Sequence, residues 1–367
     1  MFLLGGPMPA AQWGDRSAIR DRWPIATGCL GGGPKPQRTA RPKAVHTSIV
    51  PSRYPPIEPY DSGMLRVSDG HRLYWETCGN ADGVPALWLH GGPGSGSTVN
   101  SRSNFSPTAY RAVLFDQRGC GRSRPLANGP EADLSSNTTA HLIDDIERLR
   151  EHLGVQRWLV AGVSWGVTLG VAYAQQHPEA VRAMVFGAVT SADRRKIDWI
   201  VRDMGRIFPR EWDEFAALVP ESERGGNLAA AYTRLLANPD PAVREKAARA
   251  WCSWEDTHVS LMPGWTPDSR YDDPVFRERI ARLVTHYWGN YCFLPDRDQL
   301  EHMAAIADIP AVLIHGRYDV SGPLDTAWHM HRAWPASQLV VLDDAGHGGV
   351  GFTEALVAAI DTFRDAI

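Results

Sequence analysis

Six short apolar runs recur along the chain: "PALWLH" (85–90), "RAVLFD" (111–116), "RWLVAGV" (157–163), "RAMVFGA" (182–188), "PAVLIHG" (310–316) and "QLVVLD" (338–343). Each ends in small or polar residues. Consecutive apolar positions over so short a span predict strands of a parallel sheet, buried on both faces. An earlier stretch behaves differently. "GMLRVSDGHRLYWETCG" (63–79) alternates about Asp69-Gly70, which predicts a hairpin. Between the runs lie helical periods. The clearest is "TTAHLIDDIERLREHLG" (138–154), with Leu142, Ile146, Leu149 and Leu153 on one stripe and Gly154 as its stop.

Strands alternating with helices predict an α/β fold, a mostly parallel sheet with helices on both faces. The alternation lapses from 191 to 304, where helical, Trp-rich and Pro-punctuated sequence predicts an inserted helical cap. The core is then expected in 51–190 and 305–367. Residues 1–50 show Gly/Pro clusters, scattered arginines and no periodicity, and are expected to be a disordered leader.

Composition narrows the classes of function. The chain has 367 residues, 43% hydrophobic and 22% charged, with a formal charge of -4. That balance offers no basic field for nucleic acid or an anionic membrane. No apolar run approaches the length of a membrane span. The five cysteines are scattered and form no CxxC pair, so neither a disulfide framework nor a metal site is expected, and the cytoplasm is the expected compartment. Six of the fourteen tryptophans fall between 199 and 288.

Candidate chemistry gathers where the predicted strands end, the side on which parallel sheets bind ligands. "LVAGV" runs into Ser164 within Gly162-Val163-Ser164-Trp165-Gly166, a nucleophile-elbow pattern. "VLIHGRY" runs into Asp319 and "VVLDDAG" into His347. The order Ser164, Asp319, His347 is that of an α/β-hydrolase triad. A serine hydroxyl is a poor nucleophile near neutral pH. His347 would take its proton, and Asp319 would fix the histidine tautomer. Asp116, Asp325, Asp343 and Asp344 are rival acids. The amide of Trp165 and that of Gly92, or of Gly91, would receive the oxyanion. No cofactor is called for. A serine at the elbow excludes branches of this fold that attack with aspartate.

His90-Gly91-Gly92-Pro93-Gly94, "DQRGCGRS" (116–123), "GVSWG" (162–166), "HGRYD" (315–319) and "DAGHG" (344–348) together resemble the proline iminopeptidases, a family of α/β-hydrolase aminopeptidases. The resemblance runs from residue 54 to the end. It implies a small-molecule or short-peptide substrate with a free N-terminal amine. "AARAWCSWE" (247–255) is similar to that family's amine-recognition helix, which makes Glu255 the residue expected to hold the α-ammonium. Val284, Trp254 and Tyr287 are expected in the substrate pocket.

The departures carry information too. The family has a second glutamate in an "ARIENHYF"-like segment, and this chain reads "ARLVTHYW" (281–288), with Val284 at that place. The elbow carries Val163 and Val167 where glycine and serine are usual. The resemblance makes an aminopeptidase releasing a prolyl or alanyl group the first expectation, and the departures bear on the substrate rather than on the reaction type. Relatives of this type also remove aminoacyl groups from macrolactams in natural-product pathways, and a bulky hydrophobic amide is a second candidate substrate. The alternatives are an esterase, thioesterase or general amidase on the same fold, or a non-catalytic binding protein. Oligomeric state is not legible.

Overall fold

Both faces of one eight-stranded sheet are covered, and the strand sequences explain how. The computed structural model describes residues 53–294 and 299–365, so the expected leader lies outside the described residues. The strands are β1 (Pro59–Arg66), β2 (Arg72–Gly79), β3 (Val84–Leu89), β4 (Tyr110–Phe115), β5 (Trp158–Val163), β6 (Val181–Gly187), β7 (Ala311–Gly316) and β8 (Ser337–Leu342). Their order across the sheet is β1-β2-β4-β3-β5-β6-β7-β8. From β4 through β8 every neighbouring pair is parallel, while β1–β2 and β2–β4 are antiparallel.

The apolar runs divide residue by residue between two cores. Leu87, Leu89, Val113, Phe115, Val160, Met184, Phe186 and Leu313 enter one. Their alternates Ala86, Trp88, Ala112, Leu114, Leu159, Ala161, Val185 and Ile314 enter the other. Successive strand residues point to opposite faces, so a strand between two helical layers must be apolar at nearly every position. The α/β-hydrolase class expected from the sequence follows.

The predicted hairpin is β1–β2, with Met64 opposite Tyr74. Asp69 and Gly70 take φ of 58° and 74°, and His71 N–H closes the turn on Ser68 O. An Asp-Gly pair at the two positive-φ positions suits the right-handed twist of the flanking strands.

Helices α1 (Val99–Arg102), α2 (Thr139–His152) and α3 (Trp165–Gln176) fall between β3 and β6 in the chain. Thr138 caps α2 by accepting the His141 N–H, and Leu142, Ile146 and Leu149 are buried. Between β6 and β7 come α4 (Arg194–Val201), α5 (Pro209–Ala216), α6 (Leu228–Leu236), α7 (Pro241–Val259) and α8 (Pro274–Gly289), with no strand among the described residues there. Phe215 stacks on Tyr232 at 4.6 Å and on Trp254 at 5.2 Å, and Trp251 meets Tyr232 edge-on. These rings join the same apolar cluster as α2 and α3. Helices α9 (Leu324–Ala333) and α10 (Phe352–Asp361) follow β7 and β8. No described helix is long and apolar enough to cross a membrane.

Candidate active site

Ser164 sits between β5 and α3 with φ 54° and ψ −122°, a conformation that L-residues avoid. The turn is held by Ser164 N–H donating to Gly187 O and by Val167 N–H donating to Ser164 O. Its glycines answer to crowding. A Cβ on Gly166 would lie 2.2 Å from Leu89 O, and one on Gly162 would lie 2.9 Å from the same oxygen. Only glycine lets α3 start so close to β3. This is the physical content of the pattern read at 162–166.

Ser164, Trp165, Gly92 and His347 line one narrow cavity of about 30 Å³. Gly91 packs beside them, since a Cβ there would lie 3.5 Å from Ser164 Cβ. Among the described residues, neither the Gly92 nor the Trp165 amide donates to a protein acceptor. The loop carrying Gly92 is fixed from behind. His90 Nε2 accepts the Gln117 N–H at 3.1 Å, while its Nδ1 meets Gly91 O at 2.9 Å. Gln117 then accepts the Trp165 indole N–H at 2.9 Å. Burial holds the His90 imidazole below its ordinary pKa, which suits a neutral ring with one donor and one acceptor nitrogen.

His347, on the loop after β8, donates from Nδ1 to Asp319 Oδ2 at 2.9 Å. Asp319 Oδ1 accepts the Gly322 N–H at 2.8 Å. Burial alone would raise the Asp319 carboxyl, but the charge and hydrogen bond of His347 outweigh it and hold it at about 2. Burial likewise opposes the charged form of His347, yet Asp319 prevails and raises the imidazole. The rival acids are placed otherwise. Asp116 binds Arg122 and the Ser97 N–H, Asp343 pairs with Arg317 in solvent, and Asp325 and Asp344 are exposed.

The expected amine-binding and pocket residues do not form the wall beside Ser164. Glu255 accepts the Trp251 indole N–H at 3.0 Å, and its other oxygen lies 3.2 Å from His258 Nε2. Its charge still reaches His347 and raises it. Trp254 and Tyr287 correct the expectation. Trp254 is buried against Phe215 and donates to Ile200 O, and Tyr287 packs behind Trp165 with ring centroids 5.0 Å apart. Large rings are worth most to this chain inside the core. Val284 is buried too, one helical turn before Trp288, which does line the cavity.

The wall contains residues that the sequence reading passed over: Thr168, Ser191, Lys196, Ile200, Cys292 and Ser321. Lys196 is the notable one. It is buried on the apolar stripe of α4 with Ile197, Ile200 and Val201, and a lysine on such a stripe is a signal that periodicity could have exposed.

A family model described as the alpha/beta hydrolase fold matches residues 85–351. The chain is 51% identical to a "probable proline iminopeptidase" of Streptomyces coelicolor, over 85% of this chain and 98% of that protein. The chain belongs to the proline iminopeptidase family. A proline iminopeptidase of Arabidopsis thaliana is 44% identical over 85% of this chain and 82% of its own length. This family member is therefore a serine hydrolase of aminopeptidase type, acting on small peptides or amides. The crystal structure of a proline iminopeptidase from Mycobacterium smegmatis shares the fold, with a TM-score of 0.52 at 20% identity, covering 83% of this chain and 96% of that one.

Proposed function

We propose that this aminopeptidase releases a small N-terminal aminoacyl group, prolyl or alanyl, through an acyl-enzyme on Ser164. The observation that carries the reading is the Asp319–His347 hydrogen bond beside the cavity that Ser164 lines. His347 Nε2 takes the hydroxyl proton as Ser164 Oγ attacks the carbonyl, and Asp319 steadies the imidazolium that forms. The Gly92 and Trp165 amides receive the oxyanion. Collapse of the tetrahedral adduct expels the amine, which takes the proton from His347. Water then repeats the sequence on the ester and frees the amino acid.

The narrow cavity supports a small acyl group. The helices between β6 and β7, read as a cap over 191–304, supply Ile197, Ile200, Trp288 and Cys292 to its wall. Glu255 is read as the ammonium acceptor, through the field it already exerts on His347. The apolar Ile197, Ile200 and Trp288 of the wall support a bulky hydrophobic leaving amine, such as a macrolactam intermediate, beside ordinary peptides. Among the described residues the four cysteines are free and buried, in keeping with a cytoplasmic site of action. Labelling by a fluorophosphonate tests the nucleophile. The wild-type enzyme is expected to be labelled and inactivated, and Ser164→Ala to be folded, unlabelled and inactive. Turnover of prolyl or alanyl anilide by purified Ser164→Ala would refute the assignment.

A further inference from the structure

The wall of the cavity holds a cation without a partner. Lys196 Nζ is buried, and among the described residues it has neither a hydrogen bond nor an ion pair. The residue is 6% exposed. Its ammonium lies against the bare backbone of Gly322, where a Cβ would come within 3.1 Å of Nζ. The carboxylates whose charge it feels are committed elsewhere. Asp319 holds His347 and Gly322, and Asp193 caps α4 through Lys196 N–H and accepts the Ser191 hydroxyl. Asp325 is exposed to solvent. A buried ammonium without a partner is costly, and an interior that tolerates one at a binding cavity gains from a ligand that supplies the missing charge.

We propose that Lys196 is a specificity-determining residue whose ammonium receives a carboxylate of the substrate. The inference rests on aminoacyl-amide hydrolysis at Ser164 and names the substrate class that this site prefers. Lys196 and Ser164 line the same narrow cavity, so a group attached to the acylated serine enters the space that the Lys196 side chain borders. Ser191, Ser321 and Lys196 make one end of the wall polar, while Ile197, Ile200 and Trp288 make another part apolar. The carboxylate has two sources: the side chain of an acidic N-terminal residue, or the free terminus of a short peptide. A neutral amide of the same shape offers the ammonium only a weaker acceptor.

The test compares kcat/KM for isosteric pairs: glutamyl against glutaminyl anilide, aspartyl against asparaginyl anilide, and Ala-Gly against its C-terminal amide. Alanyl and prolyl anilides serve as references. Near neutral pH the acid of at least one pair is expected to exceed its amide by about tenfold or more, the usual worth of a charge-assisted hydrogen bond. The anilide and dipeptide arms tell the two sources apart. In Lys196→Met the ratio is expected to fall towards unity.

Burial lowers the Lys196 pKa to about 8 against the opposing charges of Asp319, Asp193 and Asp325. The wild-type ratio should therefore decline as pH rises through that value, which keeps the test open if the variant does not fold. His315 and His347 also face this ammonium. Burial holds His315 below its ordinary pKa and so neutral in this range, and the base His347 must be neutral for either member of a pair to react, which leaves the ratio unmoved. A wild-type ratio near unity in every pair, or a ratio that survives in Lys196→Met, would overturn the proposal. Turnover of alanyl or prolyl anilide without acid preference removes the role of Lys196 alone. No turnover of any aminoacyl amide removes the aminopeptidase reading and this inference with it.

Discussion

His347 Nδ1 donates to Asp319 Oδ2 at 2.9 Å, while the second Asp319 oxygen is occupied by the Gly322 N–H at 2.8 Å. Both lone-pair sides of the carboxylate are thus used, one to orient the imidazole and one to hold the acid itself. The residues come from different loops, after β7 and after β8, whose parallel pairing places Gly316 beside Leu342. Asp319 is ionised through the working pH range, and His347 titrates above the ordinary imidazole value.

The pH dependence follows from that direction. As the proposed base, His347 is competent only when neutral, so kcat/KM should fall as pH drops through its raised pKa. The acid limb is expected above about 6.5, the ordinary histidine value. Asp319→Asn should cost about 10⁴ in kcat and move the limb downward. For stability the signs differ. The depressed Asp319 contributes stability present above about 3.9 and lost as pH falls towards its folded value, whereas the raised His347 contributes stability below about 6.5 that is lost as pH rises through its folded pKa. A kcat/KM profile and denaturant titrations across pH check both.

Glu255→Gln should raise KM for free-amine substrates by about ten- to a hundredfold and leave N-acetylated analogues nearly unaffected, because it removes a charge but keeps the shape. Equal losses on the two classes would assign Glu255 to holding Trp251 and His258 instead.

Val284→Glu places a carboxylate one turn before Trp288, next to the cavity wall. The expected result is a gain of about tenfold in the preference for free-amine peptides over bulky hydrophobic aminoacyl amides. A stability loss of about 1–3 kcal/mol should accompany it, because the valine is fully buried. Paired kinetics and urea denaturation measure the two effects.

Lys196→Met should stabilise the free enzyme. A lysine held at about 8 favours the neutral form, so its charged form weakens folding below that pH. Against the ordinary lysine value the cost near neutrality is on the order of 3 kcal/mol, and it fades as pH rises through the folded value towards about 10.4. Denaturation midpoints of wild type and variant should therefore converge at high pH. A destabilised variant near neutrality would show that the ammonium contributes more to packing than it costs.

The sequence by itself determined the sheet and the order of the catalytic candidates. Strands buried on both faces must be apolar at consecutive positions, so "LWL", "AVLF" and "VLI" announced themselves. The candidates on the turns and loops after the strands, Ser164, Asp319 and His347, followed from where parallel sheets present their ends. Glycines 162 and 166 were legible because backbone crowding at the elbow admits nothing larger. Tertiary structure decided the walls of the cavity. An amphipathic helix pattern tells which face is buried, not whether that face meets another helix or a substrate. Trp254 and Tyr287, expected in the pocket, fill the core instead, where their area is worth more. Lys196, in "RRKIDWIV", reads as one cation among three until folding turns Arg194 and Arg195 away and carries its ammonium to the wall beside Ser164.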